Sequence, residues 1–119
     1  MPYEIGIDIV EVNDFRKSIE RTKPLKHRLF TEYEINYCKN KGMEHLASRF
    51  AAKEAFLKAC NIEKLDWKDI EIRNLKSGKP VIRLNGKIKA KLSFKSIKIS
   101  LSQTRKNAAA FVMVDYTKK

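Results

Sequence analysis

Met43–Cys60 runs without a glycine or proline and is rich in alanine, the strongest helix former. A chain of 119 residues with one such uninterrupted stretch has to build its remaining elements around it. On a helical wheel Met43, Leu46, Ala47, Phe50 and Leu57 make an apolar stripe. Glu54 falls inside that stripe, roughly 20° from Met43. An ionised carboxylate facing a core costs several kcal/mol unless a cation or hydrogen-bond donors compensate it.

The flanking segments read as follows. Ile5–Val10 is β-branched apart from Gly6 and Asp8, which predicts a buried strand. Asp8 shares a face with Gly6 and Val10 by the two-residue period, and Gly6 leaves room beside it. A helix follows over Asn13–Arg21, ending before Lys23-Pro24. Thr31 and Glu34 form a capping box that opens a helix of about ten residues, stopped near Gly42. Asp69–Leu75 and Pro80–Leu84 predict two strands joined by a turn at Ser77-Gly78-Lys79. Lys87–Leu92 is a short helix after Asn85-Gly86. Ile97–Leu101 and Ala108–Asp115 predict two further strands, joined by the polar loop Ser102–Asn107. The pattern gives one domain over residues 1–119, of α+β class, with a long central helix packed on a mainly antiparallel sheet.

Charge narrows the function. The net charge is +12, from 26 Lys and Arg against 14 Asp and Glu, which favours anionic partners. Nucleic acid is the first such partner to consider for a small basic domain. Against it, aromatic residues are only 9% and no RRM, KH or zinc-knuckle pattern is present. Cys38 and Cys60 have no metal-ligand spacing and read as reduced thiols. The N-terminus lacks the pattern of a signal peptide, and no apolar run is long enough to span a membrane, so a soluble cytoplasmic protein is expected.

Either Asp8 or Glu54 alone is most simply explained by a structural pairing with Lys or Arg. Two core-facing acids from different elements are also what magnesium requires when it shares a site with phosphate oxygens. His27 and His45 are isolated, so no zinc cluster is indicated. Lys58, four residues after Glu54, can meet its carboxylate as an ordinary helix salt bridge or supply charge to a transferring phosphoryl group. Arg49 and Lys53 lie on the adjoining face, as phosphate ligands or as a solvated flank.

These residues also stand in recognisable motifs. Gly6-Ile7-Asp8-Ile9-Val10 resembles the opening motif of the holo-acyl-carrier-protein synthases, the small bacterial 4′-phosphopantetheinyl transferases. Phe30-Thr31 with Glu34 resembles their F-T-x-x-E segment. Ser48–Ala59 is similar to their central R-F-A-A-K-E-A-x-x-K-A signature, and Gly78-Lys79-Pro80 and Ser100-Leu101-Ser102 match later motifs in order. The resemblance covers essentially the whole chain. It implies transfer of the phosphopantetheine arm of coenzyme A to a serine of an acidic acyl carrier protein, leaving adenosine 3′,5′-bisphosphate, in the service of fatty acid biosynthesis. It implies that Asp8 and Glu54 hold magnesium and that Lys58 touches the pyrophosphate near the reacting centre. Arg49 and Ser102, Gln103 and Thr104 would bind the nucleotide end, with Lys53 a further phosphate ligand and Gly78, Lys79 and Pro80 beside the adenosine. The family's homotrimer, with sites between subunits, is implied as well. A bound water or Glu34 would accept the serine proton.

Two departures stand out. Gln103 occupies a position where the family usually has His, so weaker coenzyme A binding is expected, an amide replacing an ionisable donor. Asp14 stands where many relatives carry Arg, leaving Arg16 and Arg21 as candidate carrier contacts. The rival functions are a catalytically impaired relative acting as a binding protein, and a basic nucleic-acid-binding module. The second leaves Asp8 and Glu54 without a purpose. The reading therefore has coenzyme A and a carrier protein as partners, and neither nucleic acid nor a membrane.

Overall fold

The computed structural model describes residues 2–63, 65–91 and 93–116. The long helix, α4, spans Met43–Cys60 as its sequence predicts. It ends where Asn61 takes the left-handed conformation, φ 54°, a stop that Asn tolerates better than most residues. Around it run β1 (Tyr3–Glu11), α1 (Val12–Arg21), α2 (Leu25–Leu29), α3 (Glu32–Cys38), β2 (Ile70–Asn74), β3 (Pro80–Leu84), α5 (Gly86–Lys91), β4 (Ser96–Gln103) and β5 (Asn107–Asp115). The expected α+β architecture holds. An antiparallel sheet in the order β1-β5-β4 packs against α4, and β2-β3 form a separate antiparallel hairpin.

Several boundaries differ from the sequence reading. Pro24 ends α1 but also stands at the N-cap of α2, because its fixed φ of −67° already suits a helix start. The Thr31–Glu34 capping box is present, but α3 closes at Cys38, and Gly42 is the N-cap of α4 rather than the stop of α3. Ser102 and Gln103 belong to β4, leaving a hairpin turn of 104–106. Leu92, the expected end of the last helix, lies outside the described residues.

Two corrections change how the core is understood. The first is that β1 is buried on one face only. Ile5, Ile7 and Ile9 are 62%, 65% and 70% exposed, while Gly6, Asp8 and Val10 face α4. Alternation sets this arrangement, and no second layer covers the outer face of the single chain.

The second correction concerns α4. Its apolar stripe is its core face only in part: Leu46 and Ala47 are buried, while Met43, Phe50, Glu54 and Leu57 line a half-buried seam. The tightest packing is made by Ala47, Ala51, Ala52, Ala55 and Ala59, all buried. Small side chains let the helix approach the sheet backbone closely. A Cβ on Gly6 would sit 1.9 Å from the carbonyl oxygen of Ala55, so glycine there is a packing requirement. Ala108, Ala110, Val112 and Val114 of β5 complete this contact.

Candidate active site

Strand β1 and helix α4 bring the two acids of the sequence reading to one place. Asp8 points toward α4 and Glu54 sits on the seam beside it. Both line a cleft of about 590 Å³ between β1, α1, α2 and α4. Phe15, Leu29, Phe50 and Trp67 are among its apolar lining, and Glu11 and Asp14 add two further carboxylates. The two carboxylates are close enough to repel. Burial first, and then the charge of Asp8, push the Glu54 carboxyl above its ordinary range, while Lys58 partly offsets both.

Lys58 is placed differently from its expected pairing. Its Nζ donates to Asp8 Oδ1 at 3.0 Å and to the Ile7 carbonyl at 3.0 Å, so it bridges helix to strand instead of closing an i,i+4 pair with Glu54. The ammonium is about half exposed and the Asp8 side chain largely buried. Lys58 is thus a cation already resting on one carboxylate with its remaining proton directed to solvent or ligand.

Arg49 is buried, held in place by the His45 carbonyl at 3.0 Å, Asn74 Oδ1 at 3.1 Å and the face of the Tyr37 ring at 4.9 Å. Its Nε is buried without a partner among the described residues. Asn74 also donates through Nδ2 to the Gly78 carbonyl at 3.0 Å. Through Asn74 the structure joins Arg49 to the Gly78-Lys79-Pro80 turn. Gly78 has φ +93°, which that turn needs, and Lys79 is exposed.

Ser102, Gln103 and Thr104 are not gathered with these residues. They sit at the β4–β5 end of the sheet, with Gln103 opposite Ala108, whereas Arg49 faces α3 and the β2–β3 turn. Thr104 Oγ1 accepts from the backbone N–H groups of Lys106 and Asn107, at 3.3 and 3.1 Å, and so shapes the hairpin turn. Arg16 lines a separate hollow with Arg105 and Lys106, while Arg21 follows Asp14 and Ser18 along the cleft side of α1.

Lys53 and Glu34 do not reach the site. Both are fully buried and pair at 2.8 Å. Lys53 Nζ also donates to the Leu29 carbonyl at 2.7 Å and the Trp67 carbonyl at 3.1 Å, which uses all three of its protons. The expected phosphate contact of Lys53 is therefore corrected. Burial lowers its pKa, and Glu34 opposes that shift. Glu34 accepts from the Thr31 and Ile72 N–H groups, each at 2.8 Å, so it is no proton acceptor for a substrate serine.

Sequence reasoning missed Asn74, Tyr37 and Trp67. Nothing local marks them, because each acts through a contact distant in sequence.

The residues present suit a magnesium ion. Two carboxylates that repel each other, next to an exposed ammonium, form a site to which a further cation and phosphate oxygens can be added. Among the described residues no group of three or more His, Cys, Asp or Glu could hold a metal.

Comparison with known proteins identifies the family. A family model for the 4′-phosphopantetheinyl transferase superfamily matches residues 4–112. The holo-[acyl-carrier-protein] synthase of Halothermothrix orenii is 42% identical over 117 residues, covering 92% of this chain and 94% of that protein. Among solved structures, the apo synthase of Chronobacterium ammoniagenes superposes with a TM-score of 0.89 at 26% identity, covering 98% of each chain. The Helicobacter pylori synthase, solved in complex with coenzyme A, superposes with a TM-score of 0.84 at 32% identity, covering 93% of this chain and 99% of that one. On a match over most of its length, the chain belongs to the 4′-phosphopantetheinyl transferase superfamily, with the holo-[acyl-carrier-protein] synthases as its relatives.

Proposed function

We propose that this protein transfers the 4′-phosphopantetheine group of coenzyme A to a serine of an apo acyl carrier protein, releasing adenosine 3′,5′-bisphosphate. The observation that carries the proposal is the convergence of Asp8, Glu54 and Lys58 on one cleft, in a chain of this family. The coenzyme A complex of the Helicobacter pylori relative supports the choice of cofactor.

Asp8 and Glu54 would hold magnesium, which when bound neutralises charge on the pyrophosphate. Lys58, anchored by Asp8 and the Ile7 carbonyl, presents its free proton to the phosphate oxygen that gains charge as the P–O bond to the leaving group breaks. The serine oxygen forms the new bond to phosphorus. Of the two acceptors considered for the serine proton, Glu34 is sequestered, which leaves a bound water. Arg49 and the Gly78–Pro80 turn serve the nucleotide, and the unpartnered Nε of Arg49 marks donor capacity there.

The working unit in this proposal is a homotrimer. The outer face of β1, with Ile5, Ile7 and Ile9 exposed beside Phe111 of β5, is an apolar surface of the kind subunits bury. In such an assembly Ser102, Gln103 and Thr104 of one subunit meet Arg49 of the next, and Gln103 binds the cofactor through an amide. We place the reaction in the cytoplasm. Among the described residues no helix is long and apolar enough to cross a membrane.

The test is incubation with coenzyme A, magnesium and an apo carrier protein, followed by the intact mass of the carrier. Gain of a phosphopantetheine group, lost on chelation and restored by magnesium, is expected. Absence of any gain with folded protein and several carriers would contradict it.

A further inference from the structure

Lys53 and Glu54 are neighbours on α4 that face different ways, Glu54 to the cleft and Lys53 into the protein. The Lys53 ammonium is fully buried and reaches Glu34 Oε1 at 2.8 Å, the Leu29 carbonyl at 2.7 Å and the Trp67 carbonyl at 3.1 Å. Glu34 alone neutralises its charge. The two carbonyls do something else, since both belong to residues whose side chains line the cleft. Leu29 closes α2, a helix of five residues, and Trp67 opens the 3-10 turn Trp67–Asp69. Elements this short depend on attachments to their neighbours, and Lys53 attaches both of them to α4.

Trp67 carries this attachment to the reacting groups. Its ring packs against Phe50, with centroids 5.5 Å apart. Phe50 stands four residues before Glu54, one turn away on the same face of α4. A second hollow, of about 380 Å³, has Lys58, Asn61 and Ile62 in its lining, and Glu54 and Trp67 are the residues it shares with the cleft. Trp67 and Glu54 thus form the partition between the space lined by Asp8 and the space lined by Lys58.

We propose that Lys53 is a positioning residue of the transfer site and acts through Trp67. By holding the Trp67 carbonyl it sets the ring against Phe50, and so the shape of the site beside Glu54. The proposal rests on the transferase function given above. An ammonium suits the task, because its three donors meet one carboxylate and two carbonyls at once. Displacement by about 1 Å near reacting atoms can cost on the order of 10²-fold in rate, so the hold on a site wall affects turnover as well as stability.

Trp67 is the only tryptophan of the chain, so its fluorescence reports its own surroundings. The experiment compares wild type with Lys53→Met, which keeps an unbranched stem but no donors, with Trp67→Ala, and with the double variant. Each is assayed at a temperature where circular dichroism shows it folded. In Lys53→Met the emission maximum should move to the red and quenching by acrylamide should rise. Its kcat should fall about tenfold or more, with the KM for coenzyme A within about twofold of wild type. Trp67→Ala should lower kcat similarly, and the double variant should be at most about twofold slower than the slower single variant. If Lys53→Met does not fold, Lys53→Arg keeps the Glu34 charge paired and should show the same emission shift with a smaller fall in kcat. A folded Lys53 variant with the kcat of wild type overturns the proposal. So does a loss of kcat without a change in emission, or losses that multiply in the double variant. A raised KM for coenzyme A at unchanged kcat overturns it in favour of a direct ligand role. If wild type transfers nothing, the transferase function fails, while unchanged emission in the Lys53 variant still overturns the hold on Trp67.

Discussion

Glu54 is the residue on which sequence and structure agree for different reasons. Its position in an apolar stripe drew attention to it, yet its part of the stripe turns out to be a half-buried seam beside the cleft. Beside Leu46 and Phe56 most of the helix core is alanine, which a wheel weighted by hydrophobic bulk undervalues. Asp8 was legible more directly, because β-strand alternation fixes its face once Gly6 is placed. The partner of Lys58 was not legible, since the i,i+4 rule sees only its own helix and the strand carbonyl of Ile7 competes successfully. The raised pKa of Glu54 has a stability consequence. A carboxyl whose folded pKa lies above its unfolded value weakens the fold at pH values above the folded pKa, and that cost is relieved as pH falls through it. In magnesium-free protein at neutral pH, Glu54→Gln should therefore raise the Tm. The difference from wild type should shrink as pH falls from 7 toward 4.5, because the wild-type carboxyl then takes up the proton itself. Thermal melts of both proteins across that range check it, and a variant less stable than wild type at neutral pH would contradict it.

Among the elements, α3, α4 and β2 are tied together by one ion pair. The F-T-x-x-E segment was legible as a capping box, and its local geometry holds, with Thr31 N–H donating to Glu34 Oε1 and Glu34 N–H to Thr31 Oγ1. What the local motif concealed is that Glu34 also receives Lys53 from α4 and the Ile72 N–H from β2. A lysine in a basic chain is ordinarily solvated, and nothing in its spacing distinguishes Lys53 from a phosphate ligand; only the tertiary fold does. Removing one member of a buried pair strands the other charge. Lys53→Ala should cost about 3–5 kcal/mol in urea unfolding. A variant of normal stability with a raised KM for coenzyme A would instead restore the ligand role.

At the scale of the whole molecule, the α+β class and the order of elements apart from α2 were legible from periodicity and turn chemistry. The separation into two sheets was not, because strand spacing in sequence does not say which edges pair. Nor did the run of isoleucines in β1 reveal a single buried face, since a continuous apolar strand reads alike whether its second side meets its own core or another subunit. Ile7, 65% exposed at the middle of that face, is the position to alter. Ile7→Glu should convert an assembled wild type to a folded 13.9 kDa monomer in size-exclusion chromatography with light scattering, with transfer activity falling at least about tenfold because shared sites are lost. A wild type that already runs as an active monomer would contradict the trimer. The catalytic account has a more direct test in Asp8, which anchors Lys58 and, in our proposal, the metal. The measurement is the single-turnover rate of phosphopantetheine transfer by Asp8→Ala at saturating magnesium and coenzyme A. The account predicts a fall of about 10²–10³-fold with the fold intact by circular dichroism, and a rate within a few-fold of wild type would contradict it.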